Sequence, residues 1–546
     1  MSADMESKLP QIQQIRRMGR VRGVSGLSWY RSPRTWLLIV ALVWALLPVT
    51  LQLISRFSRF KSSGGARNTL STKVNTYIAN SYLTKGPTWP AGVWWESKKQ
   101  KDWQGCVARA SSTSNAVKAP KGFLKVKCNG GINQQRQQIC DAVALAHYLE
   151  AVLIVPQLTK SLVWKDDDPF AKIFDLDFFI EELRKDVLVV REEDLPRVAT
   201  FRAPYEVDPP VQSTLDWWDA NTRIKLAAGL IVRPISMTDR LHFENVPDKI
   251  QQLRCRACFH ALRWNKSVLN WGDTLVRRMM KNANHLHSQG YVALHLRLEK
   301  DSLSHSGCRL KQPADGRDDL DEFSKKVWKH QFTAGTNSEQ KRAEGHCPLT
   351  AAEAGRFLEG LGYPFSTPIY IAGGRPSSGS GLEKLQKKYP NLFTKDSLLN
   401  DHEMGKFLGH PSMLAALDYL ACRNATVFVS THGGNMADFL TGERTYLGKG
   451  LSISPHKQFL TRLFDQYEDR SWNLRKVSEA IRSHHADALQ LQTRKFRDPS
   501  LKAMSLYRMP LPACVCKKGY PLGKGHPKVE GVDHSKANSA KEDEDR

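Results

Sequence analysis

The chain has 546 residues, 41% of them hydrophobic, enough for two or three domains with cores of their own. Lys and Arg number 80 against 55 Asp and Glu, and the formal net charge is +25. Such a balance points to an anionic partner: nucleic acid, anionic lipid or an acidic substrate. The topology read next largely excludes the first.

Residues 1–34 are polar and basic, with Lys8, Arg16, Arg17, Arg20, Arg22, Arg31 and Arg34 against Asp4 and Glu6. Thr35–Ile54 then runs without a charge. At about 1.5 Å per residue it spans a bilayer core. Trp36 suits the interface, and Pro48 kinks such a segment without preventing a span. A cleaved signal peptide is the rival reading. The long leader, the length of the apolar run and the lack of a small-residue cleavage site weigh against it. The expectation is a cytosolic tail (1–34), a transmembrane signal anchor (35–54) and a lumenal remainder, although Arg56, Arg59 and Lys61 reduce the charge asymmetry. About +20 of the formal charge then stays lumenal, where a sugar nucleotide and acidic polysaccharides are the fitting anions.

The cysteines are Cys106, Cys128, Cys140, Cys255, Cys258, Cys308, Cys347, Cys422, Cys514 and Cys516, and they fit an oxidising lumen. Their connectivity is not readable from spacing. Cys255, Cys258 and His260 lack a second ligand pair at finger spacing, so zinc is disfavoured. Asn265 and Asn424 head glycosylation sequons.

Residues 55–118 read as a Ser/Lys/Gly-rich stem. An N-terminal Rossmann-like lobe is assigned to 119–288. Its signals are a strand at Gly122–Cys128, a glycine turn at Asn129-Gly130-Gly131-Ile132-Asn133, a helix at Gln134–Leu149 and an apolar strand at Ala151–Leu158. Ile139, Val143, Ala146 and Leu149 mark the helix's buried face. Asp166-Asp167-Asp168 reads as a solvated acidic turn rather than a metal site. Val187–Val190 reads as a strand, and 250–262 and 270–287 as helices.

A second, C-terminal lobe is assigned to 289–500. Tyr291–Leu298 is a strand on which His295, Arg297 and then Glu299 point to one face. Such ionisable groups need either a ligand or each other, and an Arg297–Glu299 salt bridge is the structural alternative. Ser302–Pro348 reads as a polar loop with a helix at Asp319–Phe332, flanked by Cys308 and Cys347, which could staple it. Then come a strand and glycine turn at Thr367–Gly374 and helices at Leu382–Tyr389 and Met413–Cys422. Val427–Val429 is a buried strand, Gly433 and Gly434 allow a tight turn, and Asn435 can cap a helix from Met436. A strand, a glycine turn and a helix N-terminus make an anion site. Residues 517–546 read as a disordered tail.

There is no G-x-G-x-x-G opening a helix after the first strand, no G-x-x-x-x-G-K-[ST], no H-E-x-x-H and no G-x-S-x-G. Dinucleotide, NTPase, zinc-protease and nucleophile-elbow chemistry are thereby disfavoured. A charge-free glycine cradle plus one strand arginine suits a departing diphosphate.

Here the sequence resembles the plant protein O-fucosyltransferase-like family of glycosyltransferases. The residues that carry the resemblance are N-G-G-I-N-Q-Q-R at 129–136, L-R-C-R at 253–256 with H-A-L-R at 260–263, H-L-R-L-E-K-D at 295–301 and S-G-C at 306–308. C-P-L-T at 347–350, I-Y-I-A-G-G at 369–374, A-A-L-D-Y at 415–419 and V-S-T-H-G-G-N-M-A at 429–437 follow in the family's order. The acidic loop at 160–170 departs from it on the acceptor side. The resemblance implies an α/β GT-B fold, two Rossmann-like lobes facing across a cleft, and a single-pass type II Golgi anchor. It also implies a nucleotide-sugar donor bound without metal or other cofactor. By the same resemblance Arg297 contacts the donor diphosphate and Asn133 lies near sugar and acceptor, with Glu299 in the catalytic set. Gly130, Gly131, His295, Asp418, Thr431, His432, Gly433, Gly434 and Asn435 line the donor. The leading expectation is transfer of fucose from GDP-fucose to a hydroxyl on protein or cell-wall glycan. A pectin rhamnosyltransferase using UDP-rhamnose and an inactive Golgi scaffold are the alternatives.

Overall fold

The computed structural model describes residues 103–105, 121–160, 165–197, 203–243, 246–309, 317–327, 337–377, 379–468, 472–494, 507–508 and 514–517. The expected tail, anchor, most of the stem and the segment beyond 517 lie outside them. No helix among the described residues is long and apolar enough to cross a membrane.

Five short strands form the first sheet: β1 (Phe123–Leu124), β2 (Val152–Ile154), β3 (Val189–Val190), β4 (Tyr205–Val207) and β5 (Ile231–Pro234). All pairs are parallel, in the order β3-β2-β1-β5-β4. The two long strands expected at 122–128 and 151–158 each divide. Their second halves, Lys127–Cys128 and Gln157–Leu158, leave the sheet and pair with each other. Pro156 lacks the N–H that would continue the ladder.

Helix α1 (Ile132–Leu149) lies against this sheet. Ile139, Val143, Ala146 and Leu149 are buried as their spacing implies, and so are Gln135, Arg136, Gln138 and Asp141. A helix buried on its polar side as well is covered on both sides.

The second sheet contains β6 (Val292–His295), β7 (Ile369–Ala372), β8 (Leu392–Phe393), β9 (Val427–Ser430) and β10 (Leu451–Ile453). It too is wholly parallel, in the order β8-β7-β6-β9-β10. Period-2 alternation divides its side chains between two cores. Val292, Leu294, Ile369, Ile371, Val427 and Val429 pack with Phe357, Leu460 and Phe464. Ala293, Tyr370, Ala372 and Phe428 belong to the other core. That core includes α2 (Lys266–His285) and α3 (Pro411–Asn424), and α4 (Asn435–Tyr446) follows β9. Helices α2 and α3 approach closely at Gly272, where an added Cβ would stand 2.3 Å from Leu420.

The insertion at 302–348 is more ordered than its polarity suggests. Helices Lys300–Ser306, Arg317–Val327 and Ser338–Ala343 occupy it, and a Cys308–Cys347 disulfide staples its ends. A second disulfide joins Cys255 to Cys514, so Cys255 is not a zinc ligand. It ties the C-terminal segment to the helix Asp248–Arg256, and Val515–Lys517 pairs antiparallel with Trp103–Gly105, within the expected stem.

Candidate active site

In the second sheet the chain runs outward from β6 to β8 and then returns to β9 on β6's other side. In such sheets ligands bind beyond the carboxyl ends of the strands where the order reverses. His295 ends β6 there, level with Ala372 of β7 and Ser430 of β9. The next residues are Arg297 on one loop and Thr431 and His432 on the other. Thr431, fully buried, joins these loops. Its hydroxyl donates to the His295 carbonyl at 2.9 Å, and its Oγ1 lies 3.4 Å from the Arg297 amide.

Arg297 does not pair with Glu299. Glu299 Oε1 accepts instead from the Gly374 amide at 2.9 Å. The reason is the Gly373 backbone, at φ 128°, where a Cβ would stand 2.8 Å from Glu299 Oε1. The glycine loop admits the carboxylate and draws it from the arginine. Among the described residues no ion pair or side-chain hydrogen bond engages the Arg297 guanidinium, which is half-buried.

The surroundings are cationic or neutral. Lys457 Nζ lies 2.7 Å from His432 Nδ1, and burial brings its pKa down to about 8. Burial, then the charge of Arg297, lowers His295 to about 3. Burial, then Lys457 and Arg297, does the same to His432. Both imidazoles are therefore neutral at pH 7. His295 Nδ1 is buried without a hydrogen-bond partner, as is Glu299 Oε2. Unpaired buried polar atoms of this kind mark a place for a ligand. Lys457 went unread in the sequence because it opens a helix with no glycine or motif around it.

Gly433 and Gly434 lead into α4. Gly434, not Asn435, is the N-cap, with φ 131° and ψ 168°. Asn435 is the first helical residue, since only a glycine takes that backbone conformation freely. A Cβ at either glycine would meet nothing within 4 Å, so open space flanks the backbone at this turn.

The first lobe presents Gly130, Gly131 and Asn133 at the start of α1. Gln135 Nε2 donates to the Gly130 carbonyl at 2.9 Å, and Thr238, after β5, donates to Asn129 Oδ1 at 2.8 Å. Asn133 Oδ1 accepts from Arg136 at 3.2 Å. Arg136 itself crosses to the second lobe, where it pairs with Glu443 of α4 at 3.2 Å. Its guanidinium lies 4.5–4.9 Å from the ring centres of Trp264, Tyr419 and Phe439. Burial opposes the charge on Glu443, but Arg136 and Arg423 outweigh it and hold the carboxyl ionised. Between the lobes lies a cavity of about 410 Å³ lined by Gln137, Gln212, Asp239, Phe243, Asn435, Asp438, Phe439 and Tyr507.

Other residues named from the sequence lie beneath or away from this edge. Asp418 is buried and accepts from Tyr370 at 2.6 Å, from Lys395 at 2.8 Å and from the Gly373 amide at 3.2 Å. The Asp166–Asp168 turn is not solvated. Asp166 and Asp168 are buried because the turn closes on the start of α3: Asp166 accepts from the Ser412 amide at 2.7 Å, and Asp168 contacts His410 at 2.9 Å and Lys172 at 3.0 Å. Ligand atoms of Asp166, Asp168 and His410 lie within 4.8 Å of one another, but the Lys172 ammonium already occupies this carboxylate cluster. At both sequons the amide nitrogen is engaged. Asn265 donates to Ala171 and Lys172 carbonyls, and its Oδ1 caps α2; Asn424 donates to Leu420.

Comparison with known proteins adds four findings. A profile of the GDP-fucose protein O-fucosyltransferase family matches residues 123–447. O-fucosyltransferase 9 of Arabidopsis thaliana is 36% identical over 444 residues, covering 78% of this chain and 75% of that protein. O-fucosyltransferase 29 of the same plant is 34% identical over 450 residues, covering 81% and 78%. Among solved structures, POFUT1 in complex with GDP aligns with a TM-score of 0.37 at 13% identity, over 62% of this chain and 99% of that one.

Proposed function

Since the chain belongs to the GDP-fucose protein O-fucosyltransferase family and is a glycosyltransferase, we propose that it moves fucose from GDP-fucose to a hydroxyl on a protein or cell-wall glycan. The observation that carries this reading is the Arg297 guanidinium. It stands unpaired beside His432 and Lys457 at the carboxyl end of the second sheet.

As the bond between the sugar C1 and the phosphate oxygen breaks, negative charge grows on the diphosphate. Arg297 offers a planar pair of donors to it, and Lys457 offers a point charge. The amides after Gly433, with the positive end of the α4 dipole behind them, add preorganised donors. His295 and His432, being neutral, add no competing charge and can each accept or donate one hydrogen bond. Thr431 holds the two loops in register, while Asp418 and Glu299 fix the Gly373–Gly374 turn. Asn133, at the start of α1, is assigned to the sugar and acceptor side by the family resemblance. The charge-free run at 35–54 behind a basic tail supports a Golgi anchor with the catalytic lobes in the lumen.

The test is equilibrium binding and turnover of GDP-fucose and UDP-rhamnose by the detergent-solubilised full chain. GDP-fucose should bind and be turned over. Selective use of UDP-rhamnose would move the enzyme to rhamnosyl transfer, and failure to bind either donor would leave a scaffold.

A further inference from the structure

At the donor edge the Glu299 carboxylate is bound to the Gly374 amide and both imidazoles sit beside cations, whereas the inter-lobe cavity holds a carboxylate, Asp438, whose contact is Arg508 at 3.7 Å. We propose that this cavity is the acceptor subsite and that Asp438 of α4 is the general base that deprotonates the acceptor hydroxyl. The proposal rests on the donor reading above.

Three observations place it. First, Asn435 and Asp438 both line the cavity. They are three residues apart on α4 and so share one helix face, with Asp438 about one turn, roughly 5 Å, beyond the glycine loop. A diphosphate held at the helix start thus leaves its sugar near this carboxylate. Second, Asp438 is only lightly committed. Its contact is Arg508 at 3.7 Å, whereas the cavity's other carboxylate, Asp239, already accepts from Gln137 at 2.9 Å. Third, the walls suit a sugar or a hydroxyl-bearing side chain. Phe243, Phe439 and Tyr507 offer apolar faces, and Gln137, Gln212 and Asn435 offer amides. Burial raises the pKa of Asp438 and Arg508 opposes this, so the carboxylate is a stronger base than an exposed one.

The step balances as a single displacement. The acceptor O–H bond breaks and its proton goes to an Asp438 carboxylate oxygen. The acceptor oxygen forms the new bond to C1 with inversion, and the C1–phosphate oxygen bond breaks. GDP leaves with the electron pair, and Asp438 later gives the proton to solvent.

Water in the acceptor position serves as the probe, so the experiment follows GDP release from GDP-fucose by the full chain. Asp438→Asn should lower kcat about 100-fold, leave the GDP-fucose Kd unchanged, and remove the acidic limb of the kcat–pH profile. Asp438→Glu should recover part of the rate and restore that limb. Besides Asp438 the charged groups lining or flanking the cavity are Asp239, Arg508 and, behind Phe243 and Tyr507, the paired Asp141 and Arg254; Asp239 is the other carboxylate that lines it, so Asp239→Asn is run in parallel. If the acidic limb disappears in that variant and persists in Asp438→Asn, Asp438 is not the base. A folded Asp438→Asn protein within threefold of wild-type turnover also overturns the proposal, as does a wild type that binds GDP-fucose but never turns it over. Absence of GDP-fucose binding by the wild type is a different failure, that of the donor reading.

Discussion

At the scale of single residues, the site buries His295 beside the charge of Arg297, and this has a consequence for stability. His295 is buried and its pKa is lowered to about 3 by burial and by Arg297, whereas an unfolded histidine titrates near 6.5. Below that value the unfolded chain binds more protons than the folded one. Stability is therefore complete above about pH 6.5 and falls as the pH drops toward 3, by up to about 1.4 kcal/mol per pH unit for this group. Urea unfolding at pH 7 and pH 5 should show a larger loss for the wild type than for His295→Gln. Equal losses in both proteins would remove His295 from the account. The residues nearest this edge were legible because each stands in a short run whose types conflict with burial: His295 ends an apolar strand, and Arg297 and His432 each follow one by two residues. Lys457, Asp239 and Asp438 were not legible. Each is an ordinary charge on an ordinary helix or turn, and only the folded chain brings it to the edge or cavity.

At the scale of elements, the two glycines before α4 separate folding from binding. Gly434 sits at φ 131°, so Gly434→Ala should destabilise the protein by about 1 kcal/mol or more through backbone strain. Gly433 has no such φ, and a Cβ there meets nothing within 4 Å. Gly433→Ala should keep its Tm and weaken GDP-fucose binding, because the methyl group occupies space the donor needs beside the backbone. A normal Kd for Gly433→Ala would place the donor elsewhere. Strands β1, β6, β7 and β9 were readable from different signals: β7 from an apolar run ending at Gly373, β1 from alternation before the Gly130–Gly131 turn, β9 from Val427–Val429 ahead of Gly433 and Gly434, and β6 from the apolar run Tyr291–Leu294. Strands β4 and β5 and the helix Leu215–Ala227 were missed. Tyr205–Val207 is exposed and polar, and Trp217, Trp218 and Ile224 blur the helical period of their segment. In the 302–348 insertion the helix expected at Asp319–Phe332 is present as Arg317–Val327 and the Cys308–Cys347 staple forms, whereas the short polar helices Lys300–Ser306 and Ser338–Ala343 were missed because neither has an apolar stripe to read.

At the scale of the whole molecule, the lobes are stitched by α1 and α4. Glu443 receives Arg136 from the first lobe and Arg423 and Tyr419 from the second. Glu443→Gln leaves two arginines facing a neutral amide and should cost about 3 kcal/mol or more. Thermal unfolding checks this, and an unchanged Tm would mean that the lobes are held otherwise. Tyr507 is a second stitch. It stacks on Phe439 of α4 at 4.8 Å and contacts Asp141 of α1. No pattern announced it, because a lone tyrosine near the C-terminus has no period to read. What this assembly achieves is to hold Asn435 and Asp438 of α4 in a cavity shared with residues of the first sheet's side. The most direct test is GDP release from GDP-fucose by wild type, Arg297→Lys and Arg297→Ala, assayed in excess EDTA because the protein's own cations are argued to neutralise the diphosphate. Lysine keeps the charge and loses the planar fork. Both variants should keep the wild-type Tm and lose about two orders of magnitude in kcat, with a smaller change in donor Kd. Near-normal turnover by a folded Arg297→Ala protein, or a wild type silenced by EDTA and restored by Mn²⁺, would contradict the account.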